Sequence, residues 1–589
     1  MEDHKSKGFY AIIKKSNYIL MKKIIKYCAV LLIIMTFSCN EEKFLEEKPL
    51  DFFTPSNALE NASEFQAAVN YLHRQMRWML WGGMNLDANF ALRYATDFAV
   101  NATDYNPPVK LNDYKNTMVP TFSVARIIWE SAYGIIFNSN VIIDNAPRSS
   151  SMSDNEKALF IAQAKFFRAW CYRLLGNLYG GVPLIVEEIT SPRRDFVRAT
   201  REEVYTQCKQ DLLDAIAIIG NIDNVADGKV NKQVCQHLLA EIYISLGDHA
   251  NAITTATEVI SYSGVNLMTT RFGNRTSSPG DVYSDLFQLN NQNRSSGNKE
   301  GLLVIQDDYR NAASSQRDAL QWALMPNMES LTIIETTSGE SRPAIAGYSS
   351  QISGNGVGWI RPTSHFFYTI WKDDFNDMRN SRYSILRDFR IYGVEKTSPD
   401  YGKWYVADGY KAKVVNFGDT IRNFFPILKK ATLEDGDFPT DFYKKDENGA
   451  PIPGPFGGNI LLNHDLHKDQ YLHRLAETYL LRAEAYLMAG NTQAAANDIN
   501  ALRDRANTFR ISASDVDIHL ILDERLRELS CEELRMLTLT RLGLLYDRNV
   551  KYNEKSGLTI EPFHNLWPIP YDEIERNIGA VLEQNPGYN

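Results

Sequence analysis

One pattern of small and aromatic residues recurs three times in the chain. It reads Ala-x-x-Tyr-x-x-x-Gly and occupies residues 169–176, 240–247 and 483–490. An alanine and a tyrosine three positions later lie on one face of a helix. A glycine four positions further along suits the turn that ends a helix. The pattern therefore predicts helices that end in glycine turns.

The second and third copies continue into a partner helix whose inner face is small or apolar. The residues on that face are Ala252, Ala256, Ala495 and Ile499. Two antiparallel helices with such faces approach closely, which is typical of tetratricopeptide repeats, whose helix pairs bury their apolar faces only against neighbouring pairs. A weaker unit beginning at Trp129 completes a prediction of four pairs. Three fall between about residues 125 and 265, and one between about 470 and 510.

Residues 266–470 differ in character from the helical parts of the chain. They contain long stretches rich in glycine, serine, asparagine and proline, which predict irregular loops. A strand is predicted at residues 301–309, Gly-Leu-Leu-Val-Ile-Gln-Asp-Asp-Tyr. Long loops held on a rigid scaffold are commonly functional. We therefore expect a helical scaffold to present an insertion that recognises a ligand.

The N-terminal residues have the pattern of an export signal. A basic start, Met21-Lys22-Lys23, precedes an eleven-residue apolar run at 28–38, which is shorter than the roughly 20 residues of a transmembrane helix. We therefore predict that Met21 is the initiator, that residues 1–20 are an upstream misannotated extension, and that residues 21–38 are a cleaved signal peptide.

Cys39 directly follows the apolar run. The sequence Thr-Phe-Ser-Cys fits a bacterial lipoprotein box better than an ordinary secretory site, because Phe37 interrupts the small residues that ordinary cleavage requires. The thiol of Cys39 would carry a diacylglycerol and anchor the chain without spanning the membrane. The alternative is a plain buried cysteine in an N-terminal helix.

Charge and cysteine spacing exclude several classes of function. Residues 39–589 hold 56 basic and 70 acidic side chains, a formal charge of -14, whereas nucleic-acid binding needs basic patches. The cysteines that follow Cys39 lack the Cys-x-x-Cys spacing of metal or redox sites and are expected in the core as small apolar side chains. They are Cys171, Cys208, Cys235 and Cys531. No cofactor is predicted.

No catalytic motif is present in the sequence. His464, His467 and His473 lie close together, but no nearby acid or cysteine completes a zinc site, so no metal is predicted. Gly-x-Ser-x-Gly, His-Glu-x-x-His and Walker motifs are absent. Glycoside hydrolysis needs two carboxylates roughly 5 to 10 Å apart, and 72 acids leave that alternative open.

The acids that recur at helical spacing lie beside arginines in the sequence. This arrangement favours a salt-bridged helical scaffold over a catalytic site. The acids are Glu477, Glu484, Glu524, Glu528 and Glu532. The arginines are Arg482, Arg525, Arg527 and Arg535. We therefore predict that the chain is not an enzyme.

Two stretches have the chemistry of sugar binding, in which rings stack on the C–H face of a sugar while amides and charged groups bond its hydroxyls. The first contains Trp78, Trp81, Arg93, Tyr94, Asp97, Asn101 and Tyr105. The second, in the insertion, contains Tyr309, Trp322, Tyr348, Trp359 and Trp404. The alternative for Trp78 and Trp81 is one buried helix face. Four other tryptophans are expected in the core: Trp129, Trp170, Trp371 and Trp567.

Several motifs, in order, resemble the SusD/RagB outer-membrane lipoproteins of Bacteroidetes glycan-uptake systems. The likeness runs from Cys39 to Asn589. The matching segments are 162–184, with its Gly-x-Val-Pro-Leu ending; 358–379, with Arg-Pro-Thr; 475–491; 521–535; and 566–589, ending Gln-Asn-Pro-Gly-Tyr. The Thr-Asp of 96–97 is similar to the family's Thr/Ser-Asp-Glu element. The chain departs from the family at Glu533, where the family usually shows glycine.

This resemblance implies a mostly α, SusD-like fold with four tetratricopeptide-like helix pairs. It implies an N-terminal part at 39–265, a loop-rich insertion carrying the ligand face at 266–470, and a C-terminal part with the last repeat at 471–589. The implied role is a cell-surface lipoprotein of the outer membrane that captures an oligosaccharide for a SusC-like TonB-dependent transporter. The alternatives are a peptide-binding importer subunit of the RagB type and a repeat scaffold that binds only protein.

Overall fold

The computed structural model describes most of residues 59–588, together with Tyr18, Met21, Lys22 and Lys26. The gaps within that range are 82–85, 103–109, 312–322, 346, 348, 351–352, 355, 411–419, 455–457 and 463–466. The chain divides into the units Met1–Ala58 and Leu59–Asn589, and the fold that follows is that of the second. Cys39 lies outside the described residues.

The described part of the second unit is mostly helical, as predicted. Its N-terminal helices are α1 Ala62–Leu80, α2 Leu86–Ala91, α3 Tyr114–Thr117, α4 Ser123–Asn145, α5 Asp154–Tyr179, α6 Arg201–Ile218, α7 Lys232–Ser245, α8 His249–Ile260 and α9 Val282–Asp285. Further along the chain follow α10 Ser364–Phe367, α11 Thr420–Asn423, α12 Leu475–Met488, α13 Thr492–Arg505, α14 Ile518–Leu529, α15 Arg535–Leu542, α16 Leu545–Tyr552 and α17 Tyr571–Arg576.

Several of the long helices begin at residues whose side chains satisfy the first free N–H groups. The Ser153 side chain accepts from the Glu156 N–H, and the Glu156 carboxylate accepts from the Ser153 N–H, so the two residues form a capping box ahead of α5. Thr200 and Glu203 form the same box ahead of α6. These local signals mark where α5 and α6 start.

Two of the predicted repeats stack against each other although they are far apart in sequence. Helix α7 is joined to α8, and α12 to α13, by short turns in which Gly247 and Gly490 have φ of +75° and +77°, as the pattern predicts. An apolar cluster that joins α8 to α12 contains Ile244, Ala252, Leu481 and Ala485. The description of the scaffold as four tetratricopeptide-like units stays a prediction.

The prediction that Gly176 ends a helix is wrong. Helix α5 continues to Tyr179, and Gly180, with φ of +76°, follows it. A Cβ on Gly176 would lie 2.8 Å from Cε1 of Tyr205 on α6. Glycine at this position therefore allows the two helices to approach closely, which a repeat pattern alone does not distinguish from a turn.

The strands form four short antiparallel ribbons among the described residues. The pairs are β1 Ala99–Asn101 with β5 Ile360–Pro362, β2 Gly301–Ile305 with β8 Gln470–Arg474, β3 Thr332–Ile334 with β4 Ser341–Pro343, and β6 Ile385–Leu386 with β7 Ile427–Leu428. The strand predicted at 301–309 is confirmed for Gly301–Ile305, and residues 306–309 lie outside it. Its pairing with β8 ties the insertion to the start of α12.

The helices share one large apolar core, and the insertion has a smaller core of its own. The smaller core includes Met325, Ile333, Phe389, Ile391 and Tyr405. Because these residues bury one another, the segment around them is folded despite its loop-rich composition. None of the described helices is both long enough and apolar enough to cross a membrane.

A network of buried ion pairs holds the C-terminal helices to the insertion, which confirms the salt-bridged scaffold. Glu528 on α14 accepts from Arg379, Arg474 and Arg505 at 3.3, 3.0 and 2.5 Å. Burial alone would raise the pKa of Glu528, but these guanidinium groups outweigh it and hold the pKa well below its usual range. Glu533, where the chain departs from the family pattern, accepts from Arg525 and Arg535.

Candidate functional site

The β1–β5 ribbon brings together two residues that the sequence places 258 positions apart. Asn101 is opposite Ile360, and the Ala102 N–H donates to the Trp359 carbonyl at 2.8 Å. The Asn112 amide bonds both the N–H and the carbonyl of Asn101, at 3.0 and 2.9 Å. Asn101 and Trp359 are thus neighbours at the end of one ribbon.

Two other segments of the insertion meet this ribbon at Gly358. The Gly358 N–H donates to the Met325 carbonyl at 2.7 Å, and the Arg422 guanidinium donates to the Val357 carbonyl at 2.5 Å. A Cβ on Gly358 would lie 2.3 Å from the Arg422 carbonyl oxygen, and its φ is +57°. Glycine is therefore needed here for both space and backbone conformation. We call Asn101, Met325, Val357–Trp359 and Arg422 the ribbon site.

Asp97 lies directly before the ribbon and is completely buried. Arg535 donates to both of its carboxylate oxygens, and Arg548 donates to one at 2.7 Å. Burial raises the pKa of Asp97, but the two guanidinium groups outweigh it and hold the pKa well below its usual range. In this structure Asp97 fixes the segment that leads into β1 and presents no atom to a surface ligand.

Trp81, Arg93 and Tyr94 are also buried. The Arg93 guanidinium lies 4.9 Å from the centre of the Trp81 ring and donates to the Leu80 carbonyl at 2.8 Å. These predicted binding residues therefore join the end of α1 to α2, as the buried-helix-face alternative expects for Trp81. Direct contact with ligand would require this segment to move.

The remaining described candidates are partly exposed but do not share one place. Trp78 lies under the Arg74 guanidinium at 5.5 Å, and Trp404 under that of Arg390 at 4.4 Å. The Tyr309 ring packs edge-on against Phe442. The structure thus brings Asn101 and Trp359 together, and places Trp78, Tyr309 and Trp404 on other elements.

Three predicted site residues cannot be placed. Tyr105, Trp322 and Tyr348 lie outside the described residues, and their ligand roles stay predictions. The four tryptophans expected in the core are buried there: Trp129, Trp170, Trp371 and Trp567.

Sequence reasoning missed a groove between α1 and the end of β2. Its volume is about 490 Å³. Its lining includes Tyr71, Arg74, Arg77, Lys229 and Asn311. A weak signal was available, since Tyr71, Arg74 and Trp78 recur at helical spacing on α1. The facing residues come from two distant loops, which no local pattern joins to that helix.

An exposed aromatic pair on the insertion was also missed. Tyr368 and Phe375 are each 53% exposed. The Arg387 guanidinium lies 5.4 Å from one ring centre and 4.8 Å from the other. Burial lowers the pKa of Arg387, so the two rings partly cover its charge.

The histidines considered as zinc ligands do not form the predicted group. His464 lies outside the described residues, and His467 contacts Asp307 at 3.4 Å. His473 instead lies beside His237 and Glu477, with both imidazoles within 3.3 Å of one Glu477 oxygen. Glu477 lies four residues after His473 on the same stretch of chain, and the fold adds His237 from α7. His473 Nδ1 bonds Glu477 at 2.9 Å and His237 Nδ1 bonds the Thr478 hydroxyl at 2.8 Å, whereas Nε2 of each ring has no hydrogen-bond partner among the described residues.

Comparison with known proteins identifies the family. A model described as "SusD family" matches residues 463–588, and one described as "Starch-binding associating with outer membrane" matches residues 43–244. The chain belongs to the SusD/RagB family. This family consists of non-catalytic binding proteins, so the prediction that the chain is not an enzyme is confirmed.

The sequence relatives include SusD and SusD-like proteins. The SusD-like protein P25 of Formosa agariphila is 25% identical over 600 residues, which cover 96% of this chain and 99% of that protein. The starch-binding protein SusD of Bacteroides thetaiotaomicron is 36% identical over 121 residues, 20% of this chain and 21% of that protein.

Solved structures share the fold. A laminarin-binding SusD-like protein covers 90% of this chain and 100% of its own, with a TM-score of 0.64 and 22% identity. A surface glycan-binding protein from Bacteroides thetaiotaomicron, solved with laminarihexaose, has a TM-score of 0.61 and 17% identity and covers 89% of this chain and 99% of its own. The mostly helical SusD-like fold is therefore confirmed.

Proposed function

We propose that this chain is a cell-surface lipoprotein that captures a glycan and delivers it to a SusC-like TonB-dependent transporter in the outer membrane. The observation that carries the proposal is the ribbon site, where Asn101 and Trp359 come together. The insertion contributes several chain segments to this place. Asn101 is itself buried, so the groups that this site offers a sugar are the half-buried ring of Trp359 and the partly exposed Arg422. A ring beside a polar group is the combination that sugars require.

The relatives support the ligand class. Among the similar structures are proteins named for binding laminarin and surface glycans. Because their identity to this chain is below 25%, they support the fold directly and the glycan only through the family. We propose Trp359 as the stacking platform. Trp404, which lies on another segment of the insertion beside Arg390, and Tyr105, Trp322 and Tyr348 are proposed as further ligand contacts.

The mode of attachment follows from the N-terminal sequence. We propose that the signal at 21–38 is removed and that Cys39 carries the lipid, consistent with the family description of association with the outer membrane. Labelling of cells with radioactive palmitate tests this. The wild-type chain is expected to incorporate label, and Cys39→Ser to remain unlabelled. Label retained by Cys39→Ser would contradict anchoring at this residue.

Isothermal titration calorimetry tests glycan capture. The chain from Asn40 onward is titrated with laminarihexaose, maltoheptaose, other oligosaccharides and a mixed peptide pool. We expect saturable binding of one neutral oligosaccharide. Trp359→Ala is expected to weaken it by about two- to twelvefold, because stacking on one ring contributes about 0.5–1.5 kcal/mol.

A matched control separates the ribbon site from the rest of the surface. Phe137 is 42% exposed on α4, so Phe137→Ala removes an exposed ring from the helical scaffold and is expected to leave binding unchanged. Binding of peptides alone would replace the glycan proposal with the peptide-importer alternative. Equal affinity of Trp359→Ala and the wild type would show that the ribbon site is not the platform.

A further inference from the structure

The groove beside α1 is basic, although the protein as a whole is acidic. Arg74, Arg77 and Lys229 line it, against one acid, Asp227. The carboxylate of Asp227 accepts the backbone N–H groups of Arg294 and Ser295, at 3.1 and 3.3 Å. The acid is therefore engaged by the backbone of a neighbouring segment, and the cations of the lining outnumber it.

The positive groups differ in how far they are already neutralised. Arg77 is paired with Asp307 at 2.8 Å. Lys229 donates to the neutral Asn70 amide at 2.8 Å, and Arg74 lies over the Trp78 ring. Neither of these last two contacts supplies a negative charge. Arg74 and Lys229 are therefore the cations that an incoming anion would meet.

Arg77 lines the groove but is held by the protein itself. Only 5% of its surface is exposed, and its guanidinium pairs with Asp307 and donates to the Gln306 carbonyl. Its Nε has no hydrogen-bond partner among the described residues, but that atom is buried. Binding of an anion in the groove therefore depends on Arg74 and Lys229.

The groove also has the shape and surface for a sugar ring. Tyr71 lines it and is 40% exposed, so an aromatic face is available for stacking. Gly228 closes one side: its φ is +75°, and a Cβ there would lie 2.6 Å from the Gln306 side chain. The close approach of Gly228 to Gln306 places the next residue, Lys229, where it donates to Asn70 on α1. A volume of about 490 Å³ is within the range of small-molecule sites.

We infer that this groove is a second saccharide site, distinct from the ribbon site, which binds a sugar carrying a carboxylate or a sulfate. Tyr71 stacks on the ring, and Arg74 and Lys229 bind the anionic group. This inference rests on the proposed glycan-binding function and extends it to a charged class of glycan. A carboxylate and a sulfate offer the same acceptor chemistry to the two cations.

The test compares matched ligands by calorimetry. The probes are a tetrasaccharide of galacturonic acid, the same compound with its carboxylates reduced to alcohols, and a sulfated galactose tetrasaccharide. We expect at least one charged probe to bind tenfold or more tighter than the reduced one, with an affinity that falls as salt is raised from 50 to 500 mM. Equal affinity for the charged and reduced probes would overturn the inference.

Variants locate the site. Arg74→Ala with Lys229→Ala is expected to weaken the charged probe by tenfold or more, while Arg74→Lys, which keeps the charge, loses less. Lys115→Ala, an exposed lysine on α3, is the control and is expected to bind as the wild type does. Unchanged affinity of the double variant would overturn the inference. Thermal unfolding of each variant confirms that it is folded.

The experiments on the groove can fail without contradicting the proposed glycan-binding function. Neutral-glycan binding that depends on Trp359 tests the ribbon site, and charged-glycan binding that depends on Arg74 and Lys229 tests the groove. Loss of charged binding in Trp359→Ala but not in the double variant would overturn the groove and leave glycan capture intact.

Discussion

The Arg535 guanidinium donates to both carboxylate oxygens of Asp97, at 2.8 and 2.7 Å. Both side chains are almost completely buried. Asp97 comes from the segment before β1, and Arg535 begins α15, so this pair joins the N-terminal and C-terminal parts of the scaffold. Arg548 of α16 shares the same carboxylate.

Asp97→Asn is expected to destabilise the protein by about 3–5 kcal/mol, because it removes the buried charge that Arg535 and Arg548 share and leaves them paired only with Glu533 and Asp523. Urea unfolding followed by circular dichroism measures the change. Asp308→Asn is the control: Asp308 pairs with Arg310 at the surface, where such pairs contribute about 0–1 kcal/mol. Similar unfolding midpoints for the two variants would refute a structural role for Asp97.

The helical scaffold could be predicted from the sequence because its signals are local. Apolar spacing, capping residues and the glycines at 247 and 490 act within one or two turns. Gly176 shows the limit of such patterns. The same motif places a glycine there, but this glycine leaves room for Tyr205 on the next helix. No local sequence pattern predicts that contact.

Gly176→Ala tests that contact. The added methyl group would lie 2.8 Å from the Tyr205 ring, and overpacking of this kind typically costs about 1–3 kcal/mol. Gly134→Ala is the matched control, since it also lies within a helix but its Cβ would meet nothing within 4 Å. We expect Gly134→Ala to stabilise the protein by about 0.5–1 kcal/mol. Chemical unfolding curves that shift in the same direction for both would contradict the contact.

The candidate site was less predictable than the scaffold, for a physical reason. Composition identifies residues with the right chemistry, such as Trp359 and Arg93, but not their exposure. Arg93 and Asp97 satisfy buried partners, whereas Trp359 reaches the surface through a ribbon between strands far apart in sequence. The groove needs Tyr71 and Lys229 to meet across two elements. Contacts between such distant segments depend on the tertiary fold, which local sequence patterns do not reveal.

The cysteines after Cys39 are expected to be unreactive in the folded protein. All four are buried and free, and burial raises the pKa of Cys531 to about 12. The thiolate is the nucleophile, so at pH 8 we expect almost no reaction of the chain from Asn40 with Ellman's reagent. In 6 M guanidinium chloride all four thiols should react. A rapid reaction in the native state would show that one of these helices opens readily.

His473 provides a pH dependence whose sign can be worked out. Burial, with a smaller contribution from His237, lowers the pKa of His473 to about 4, although Glu477 opposes the change. The unfolded chain binds a proton on this histidine near pH 6.5, and the folded chain does so only near pH 4. The contribution to stability is therefore complete above pH 6.5 and declines as the pH falls towards 4.

This decline should reach at most about 1.4 kcal/mol per pH unit from one histidine. We expect His473→Gln to lose less stability than the wild type between pH 7 and pH 5, whatever its stability at pH 7, because glutamine binds no proton. Urea unfolding at both pH values measures the difference. If His473→Gln lost as much stability as the wild type over this range, the neutral form of His473 would not be what the fold requires. The acid sensitivity would then have to come from other groups, such as the carboxylates paired with arginine.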